Sequence, residues 1–267
     1  MTAKAKTPYV TLGVMAVCAA MFMLVSLSGM ENGTEAAILA GAYYKPFILA
    51  GEWWRIISYG FVHAELMHIF MNMFSMYIVG RMMEFRLGPV RYLILLFLSI
   101  AGGGAFIFAA QGNTVMVGMS GGLYGLLGGY FYIAAVSGGL QNRAVRNVLI
   151  RTFVINLLIN LMPGIAVGAH IGGLITGIFV TALLVEDSKG LKKHFAAAGL
   201  AFVLILGWMA RQSAYIPSDK VYMLSDYRVL KKEMDLGFGK HALRMAEKLA
   251  DIYNDSDNTL YEELSRQ

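Results

Sequence analysis

One cysteine, five prolines and almost no carboxylates within its long apolar stretches characterise this 267-residue chain. The lone cysteine, Cys18, excludes an intramolecular disulfide and leaves the redox compartment unread; it serves as small apolar filler. No His-Glu-x-x-His run, no aspartate pair in an apolar span and no phosphate-cradling P-loop is present, which removes the sequence signatures of zinc metalloproteases, aspartyl intramembrane proteases and nucleotide hydrolases. No metal and no cofactor is expected. Charged residues amount to 15% and hydrophobic ones to 57%, against about 25% and roughly 45–50% in soluble domains. The net charge of +5 is no nucleic-acid footprint, because the basic residues fall in short turns between apolar runs.

Those runs are what the chain has in abundance. Seven windows approach the roughly 20 apolar residues that span a bilayer: about 9–28, 66–83, 92–110, 120–136, 148–163, 167–185 and 195–210. The first follows Lys4 and Lys6 but lacks an A-x-A-like cleavage site, so it reads as a retained helix. Lysines and arginines mark every second connection: Lys4 and Lys6; Arg81, Arg86 and Arg91; Arg143 and Arg146; Lys189, Lys192 and Lys193. The positive-inside rule places these in the cytoplasm, with the N-terminus, and places the 29–62 loop and the tail from Arg211 outside. The expected organisation is an all-α polytopic membrane domain over 1–210 and a small helical extramembrane tail over 211–267. That tail is close to neutral, and KHALRMAEKLADIYN carries a helical apolar period.

Polar side chains within apolar spans are expensive and mark candidate sites. His68 and Asn72, four residues apart on the second helix, share a face in its outer half. Ser120 opens the fourth helix within GMSGGLYG, and His170 lies in the first turns of the sixth. Charge counting alone brings all of these to one depth on the outer side. A hydroxyl and an imidazole so placed can act as nucleophile and general base. With no aspartate in any span, the arrangement expected is a Ser-His dyad. Gly121, Gly125 and Gly129 on one helix and Ala169, Gly173 and Gly177 on the other form small-xxx-small faces that let the two backbones meet. The Ser120 N–H, freed by its position at a helix start, joins His68 and Asn72 as a candidate oxyanion donor. Asn156 and Asn160 read as interhelical hydrogen-bond donors. Trp54 reads as an interfacial anchor, Arg55 as reaching either headgroups or loop carbonyls, and Glu84 with Arg86 as a structural ion pair at the inner helix end.

These residues resemble the rhomboid intramembrane serine proteases over about 53–185. The motifs that carry the resemblance are Trp54-Arg55, the H-x-x-x-N of His68 and Asn72 with His63 before it, the E-x-R-x-G of Glu84, Arg86 and Gly88, the G-x-S-G of Gly118, Ser120 and Gly121 followed by Tyr124, and the A-H-x-x-G-x-x-x-G of Ala169, His170, Gly173 and Gly177. Many relatives carry Asn or Asp shortly before the helix-six histidine; this chain reads AVGAH there. The resemblance implies a six-helix core with one added C-terminal helix, a Ser120/His170 dyad, an oxyanion site of His68, Asn72 and the Ser120 N–H, and Tyr124 packed on the His170 ring. It also implies transmembrane protein substrates, cleaved within or beside a membrane segment. A catalytically silent scaffold that binds transmembrane helices is the alternative. The short tails fit a bacterial or archaeal cytoplasmic membrane.

Overall fold

The computed structural model describes residues 7–110, 114–161, 164–185, 192–212, 220–253 and 259–266; Lys4, Lys6, Pro163 and Lys189 lie outside the described residues. Helices account for most of it. The order is α1 (Tyr9–Ser26), α2 (Gly33–Leu39), a two-residue strand β1 (Tyr43–Tyr44), α3 (Lys45–Leu49), α4 (Arg55–Ser58), α5 (Leu66–Ser75), a π-helical turn at Met76–Gly80, α6 (Arg81–Leu87), α7 (Pro89–Ala110), β2 (Val115–Met116), α8 (Ser120–Val136), α9 (Arg143–Asn160), α10 (Val167–Leu184), α11 (Lys192–Gln212), α12 (Lys220–Asp235), α13 (Gly239–Tyr253) and α14 (Thr259–Ser265).

Helices α1, α7 and α10 are long and apolar enough to cross a membrane, and His194–Ala210 forms a shorter apolar helix. The second apolar window is divided by the π turn into α5 and α6, and the fifth, α9, begins with Arg143, Arg146 and Arg151 within its 18 residues. Large apolar side chains face outward along these elements: Met23 and Leu24 on α1, Phe70 and Phe74 on α5, Leu200, Val203 and Leu204 on α11. Contiguous exposure on this scale would drive aggregation in water, and a lipid solvent accounts for it. The protein is an integral membrane protein.

Residues 1–17, 70–111 and 119–212 form one compact unit; 18–69, 112–118 and 213–267 form another. The centre of the first is a backbone-to-backbone contact of α8 with α10. A Cβ built on Gly173 would fall on the carbonyl of Gly121, and one on Gly177 would fall on that of Gly125. Bare glycine on both sides is thus what lets the helices touch, which explains why α8 carries residues that cost about 1 kcal/mol each in helix propensity. The Glu84–Arg86 ion pair expected from the sequence is not formed. Glu84 is buried and accepts hydrogen bonds from Val10 N (3.1 Å), Thr11 N (2.8 Å) and Thr11 Oγ1 (2.7 Å), while Arg86 is exposed. The carboxylate is consumed by the orphan amides at the start of α1, a stronger claim on it than an exposed guanidinium.

In the second unit, β1 and β2 pair antiparallel with Tyr43 opposite Met116 and Tyr44 opposite Val115. The tail helices pack on the first loop: Ile38, Tyr44, Phe47 and Ala50 share a core with Val229, Leu230, Ala246 and Leu249. Arg55 is almost fully buried; its Nη1 donates to the carbonyls of Ile38 (2.7 Å) and Ala42 (3.0 Å), its Nε pairs with Glu52, and Phe47 and Trp54 lie against the guanidinium. Of the two roles open to Arg55 in the sequence, loop carbonyls are the one it fills. Trp54 is half exposed.

A buried carboxylate joins tail to loop. Asp226 on α12 accepts hydrogen bonds from Tyr44 Oη (2.8 Å) and from Tyr253 Oη on α13. Burial pushes its pKa up to about 7, overcoming the opposite pull of the two phenols. The folded pKa thus lies above the unfolded value near 4, so the fold favours the protonated acid and loses stability as pH rises from about 4 through 7. Glu233 shifts upward for the same reason. The expected result is faster amide hydrogen exchange in α12 and α13 at pH 8 than at pH 6 after correction for intrinsic rates, an opening cost lower by about 1 kcal/mol. Asp226→Asn should flatten that difference.

Candidate active site

Gly118 turns the chain into α8. Its φ of +109° lies in a region that side chains other than hydrogen rarely adopt, and its N–H donates to the Tyr59 carbonyl at 2.9 Å. Met119 caps the helix without a side-chain bond, so Ser120 becomes its first residue, with a backbone N–H that has no intrahelical acceptor. Ser120 is half-buried.

His170 stands on the second turn of α10 with 4% exposure. Its Nε2 lies 2.8 Å from Ser120 Oγ, a distance set by the glycine contact one turn below. The ring stacks flat on Tyr124, with centroids 4.1 Å apart and planes 8° apart. On its other nitrogen, Nδ1 lies 2.6 Å from Oδ1 of Asn160, the last residue of α9. The Asn160 Nδ2 donates to Tyr124 Oη (2.7 Å) and to the Asn156 carbonyl (3.0 Å), and Tyr124 Oη donates to that same carbonyl (3.3 Å).

The remaining sequence candidates are placed as follows. Asn72 is buried on α5, in the same compact unit as Ser120. His68, one turn earlier on that helix, is half-buried and belongs to the other unit, where its ring stands 5.1 Å from that of His63. Burial, with His68 nearby, pulls the pKa of His63 down to about 4, so its ring is neutral. Tyr124 stacks on His170, Gly173 meets the Gly121 carbonyl beside the pair, and Gly177 meets the Gly125 carbonyl further along the same helices. Trp54, Arg55 and Glu84 carry the structural contacts described above. Among the described residues no group of three or more His, Cys, Asp and Glu side chains is disposed to hold a metal ion.

Asn160 does more than the interhelical donation expected of it: its Nδ2 donates as expected, and its side-chain oxygen also meets the imidazole. The signal available was the spacing of Thr152, Asn156 and Asn160, one polar stripe at four-residue intervals on a helix whose Val154, Ile155 and Leu158 are exposed.

The family model for the Rhomboid domain matches residues 50–187. The chain belongs to the rhomboid family. Among curated rhomboids it is similar to the Rhomboid protease GluP of Bacillus subtilis (strain 168), 31% identical over 193 residues, covering 71% of this chain and 38% of that protein. It is also similar to the Rhomboid protease GlpG of Yersinia pestis (strain Pestoides F), 31% identical over 129 residues, 48% of this chain and 44% of that one. The Inactive RHOMBOID-like protein 8 of Arabidopsis thaliana is 30% identical over 140 residues, 52% of this chain and 40% of that one. The chain thus spans less than half the length of each of these rhomboids, and the family holds members named as proteases beside one named as inactive.

Proposed function

We propose that this rhomboid is an intramembrane serine endopeptidase that cuts transmembrane or membrane-proximal segments of membrane proteins. The observation that carries the reading is the 2.8 Å approach of His170 Nε2 to Ser120 Oγ. In this reading the imidazole takes the hydroxyl proton as Oγ attacks the scissile carbonyl, then returns it to the leaving amine, leaving an acyl-enzyme that water hydrolyses by the same route. The Ser120 N–H, with the side chains of His68 and Asn72, holds the developing oxyanion. The protease domain is 1–210, with six core helices and a seventh preceding the 211–267 appendage. The enzyme sits in a prokaryotic cytoplasmic membrane, N-terminus inside, and its serine faces the outer side, where water enters. No cofactor is required by this chemistry.

The test is co-reconstitution in liposomes with a fluorogenic single-span peptide whose outer end carries a glycine- and alanine-rich, easily unwound segment. Cleavage by the parent protein and none by Ser120→Ala is the expected result. A silent scaffold instead predicts that parent and variant retain the intact peptide alike.

A further inference from the structure

We infer that Asn160 is a positioning residue for His170, so that the site operates as a Ser120–His170–Asn160 triad with a neutral amide in third place. The inference rests on the protease reading above and adds to it a group on a third helix, α9.

The amide has one orientation that satisfies its surroundings. With Nδ2 toward Tyr124 Oη and the Asn156 carbonyl, both acceptors are served at 2.7 and 3.0 Å, and Oδ1 faces His170. Turned over, the amide would set its own oxygen against the Asn156 carbonyl with no proton between them. Since Oδ1 can only accept, the 2.6 Å contact requires the proton on His170 Nδ1. Nε2 is then the nitrogen with the lone pair, and it is the one aimed at Ser120 Oγ. One amide therefore selects the tautomer that a general base needs.

The same group limits the ring's motion. Tyr124 covers one face of the imidazole at 4.1 Å, and Asn160 holds its edge while also holding the Tyr124 hydroxyl. As Nε2 takes the serine proton, the Nδ1–H bond becomes charge-assisted and shortens its reach to Oδ1, which stabilises the imidazolium without a carboxylate. An amide suits a span in which an ionised Asp would carry a desolvation cost.

The experiment uses the full chain in liposomes, with three variants: Asn160→Leu, which removes the acceptor at similar volume; Asn160→Asp, which keeps an oxygen facing Nδ1; and Ser120→Ala as the blank. Two readouts are taken: the rate of fluorophosphonate labelling, and the 15N spectrum of His170 in labelled protein. The expected result is Nδ1–H tautomer in the parent, a labelling rate lowered on the order of 10- to 100-fold in Asn160→Leu with a tautomer mixture, and in Asn160→Asp a rate between the two, because one oxygen keeps the Nδ1–H bond while the donation to Tyr124 Oη and the Asn156 carbonyl is lost. A parent whose His170 carries its proton on Nε2, or an Asn160→Leu variant that labels like the parent with an unchanged spectrum, overturns the proposal. A parent with Nδ1–H that does not label at Ser120 overturns the protease reading and upholds the positioning. Should Asn160→Leu fail to fold, the parent spectrum decides the matter: a proton on Nδ1 upholds the proposal and a proton on Nε2 overturns it.

Discussion

Replacing His170 with alanine is expected to slow fluorophosphonate modification of Ser120 by about 10²–10⁴-fold, the usual range for a lost general base. A serine hydroxyl at neutral pH is a poor nucleophile, and the base that the structure places beside it among the described residues is the imidazole 2.8 Å away. The loss should be one of chemistry rather than of fold. His170 packs against Tyr124 on α8 and bonds Asn160, but the closest backbone approach of α8 and α10 is made by glycines further along the two helices and does not depend on its ring. The check is the modification rate measured beside thermal unfolding in the same detergent. A variant that melts with the parent but labels slowly meets the expectation; one that labels at the parental rate does not.

Gly177→Leu is expected to disrupt the protein outright. A Cβ there falls on the Gly125 carbonyl, a backbone atom that can retreat only if α8 moves as a body. Overpacking usually costs about 1–3 kcal/mol where side chains can shift, and this position belongs above that range because none can. Moving α8 would also carry Ser120 away from His170, so residual folded protein should be inactive. Gly207→Ala on α11 supplies the contrast. A Cβ at that position meets nothing within 4 Å, and replacing an interior helical glycine gains about 1 kcal/mol of propensity. The expected outcome is a steep fall in folded yield and unfolding temperature for the first variant and an equal or higher temperature for the second.

The sequence made the chemistry of the site more legible than its architecture. Ser120, His170 and the glycine faces stood out because hydroxyls, imidazoles and glycines are costly in an apolar helix and so signal a reason for being there. The helical period then placed Gly173 and Gly177 on the face that meets Gly121 and Gly125. Contacts that depend on which loop meets which helix were not encoded in any local period. Glu84 was matched with Arg86, two residues along the chain, whereas the fold gives it the amides of Val10 and Thr11 more than 70 residues away. The amphipathic face of the tail was evident, but its counterpart, the apolar side of α2, β1 and α3, is spread over short elements with no periodicity to read. Asn160 illustrates a third kind of loss. Its depth and face were readable, but an amide both donates and accepts, and only the position of the Asn156 carbonyl determines which end meets the histidine.

The central claim is that Ser120 is an activated nucleophile. The most direct measurement is fluorophosphonate treatment of the lipid-reconstituted protein and of Ser120→Ala, with the modified peptide identified by mass spectrometry. The account predicts a single adduct on Ser120 in the parent and none in the variant. An unlabelled, folded parent, or equal labelling of Ser120→Ala, would contradict it.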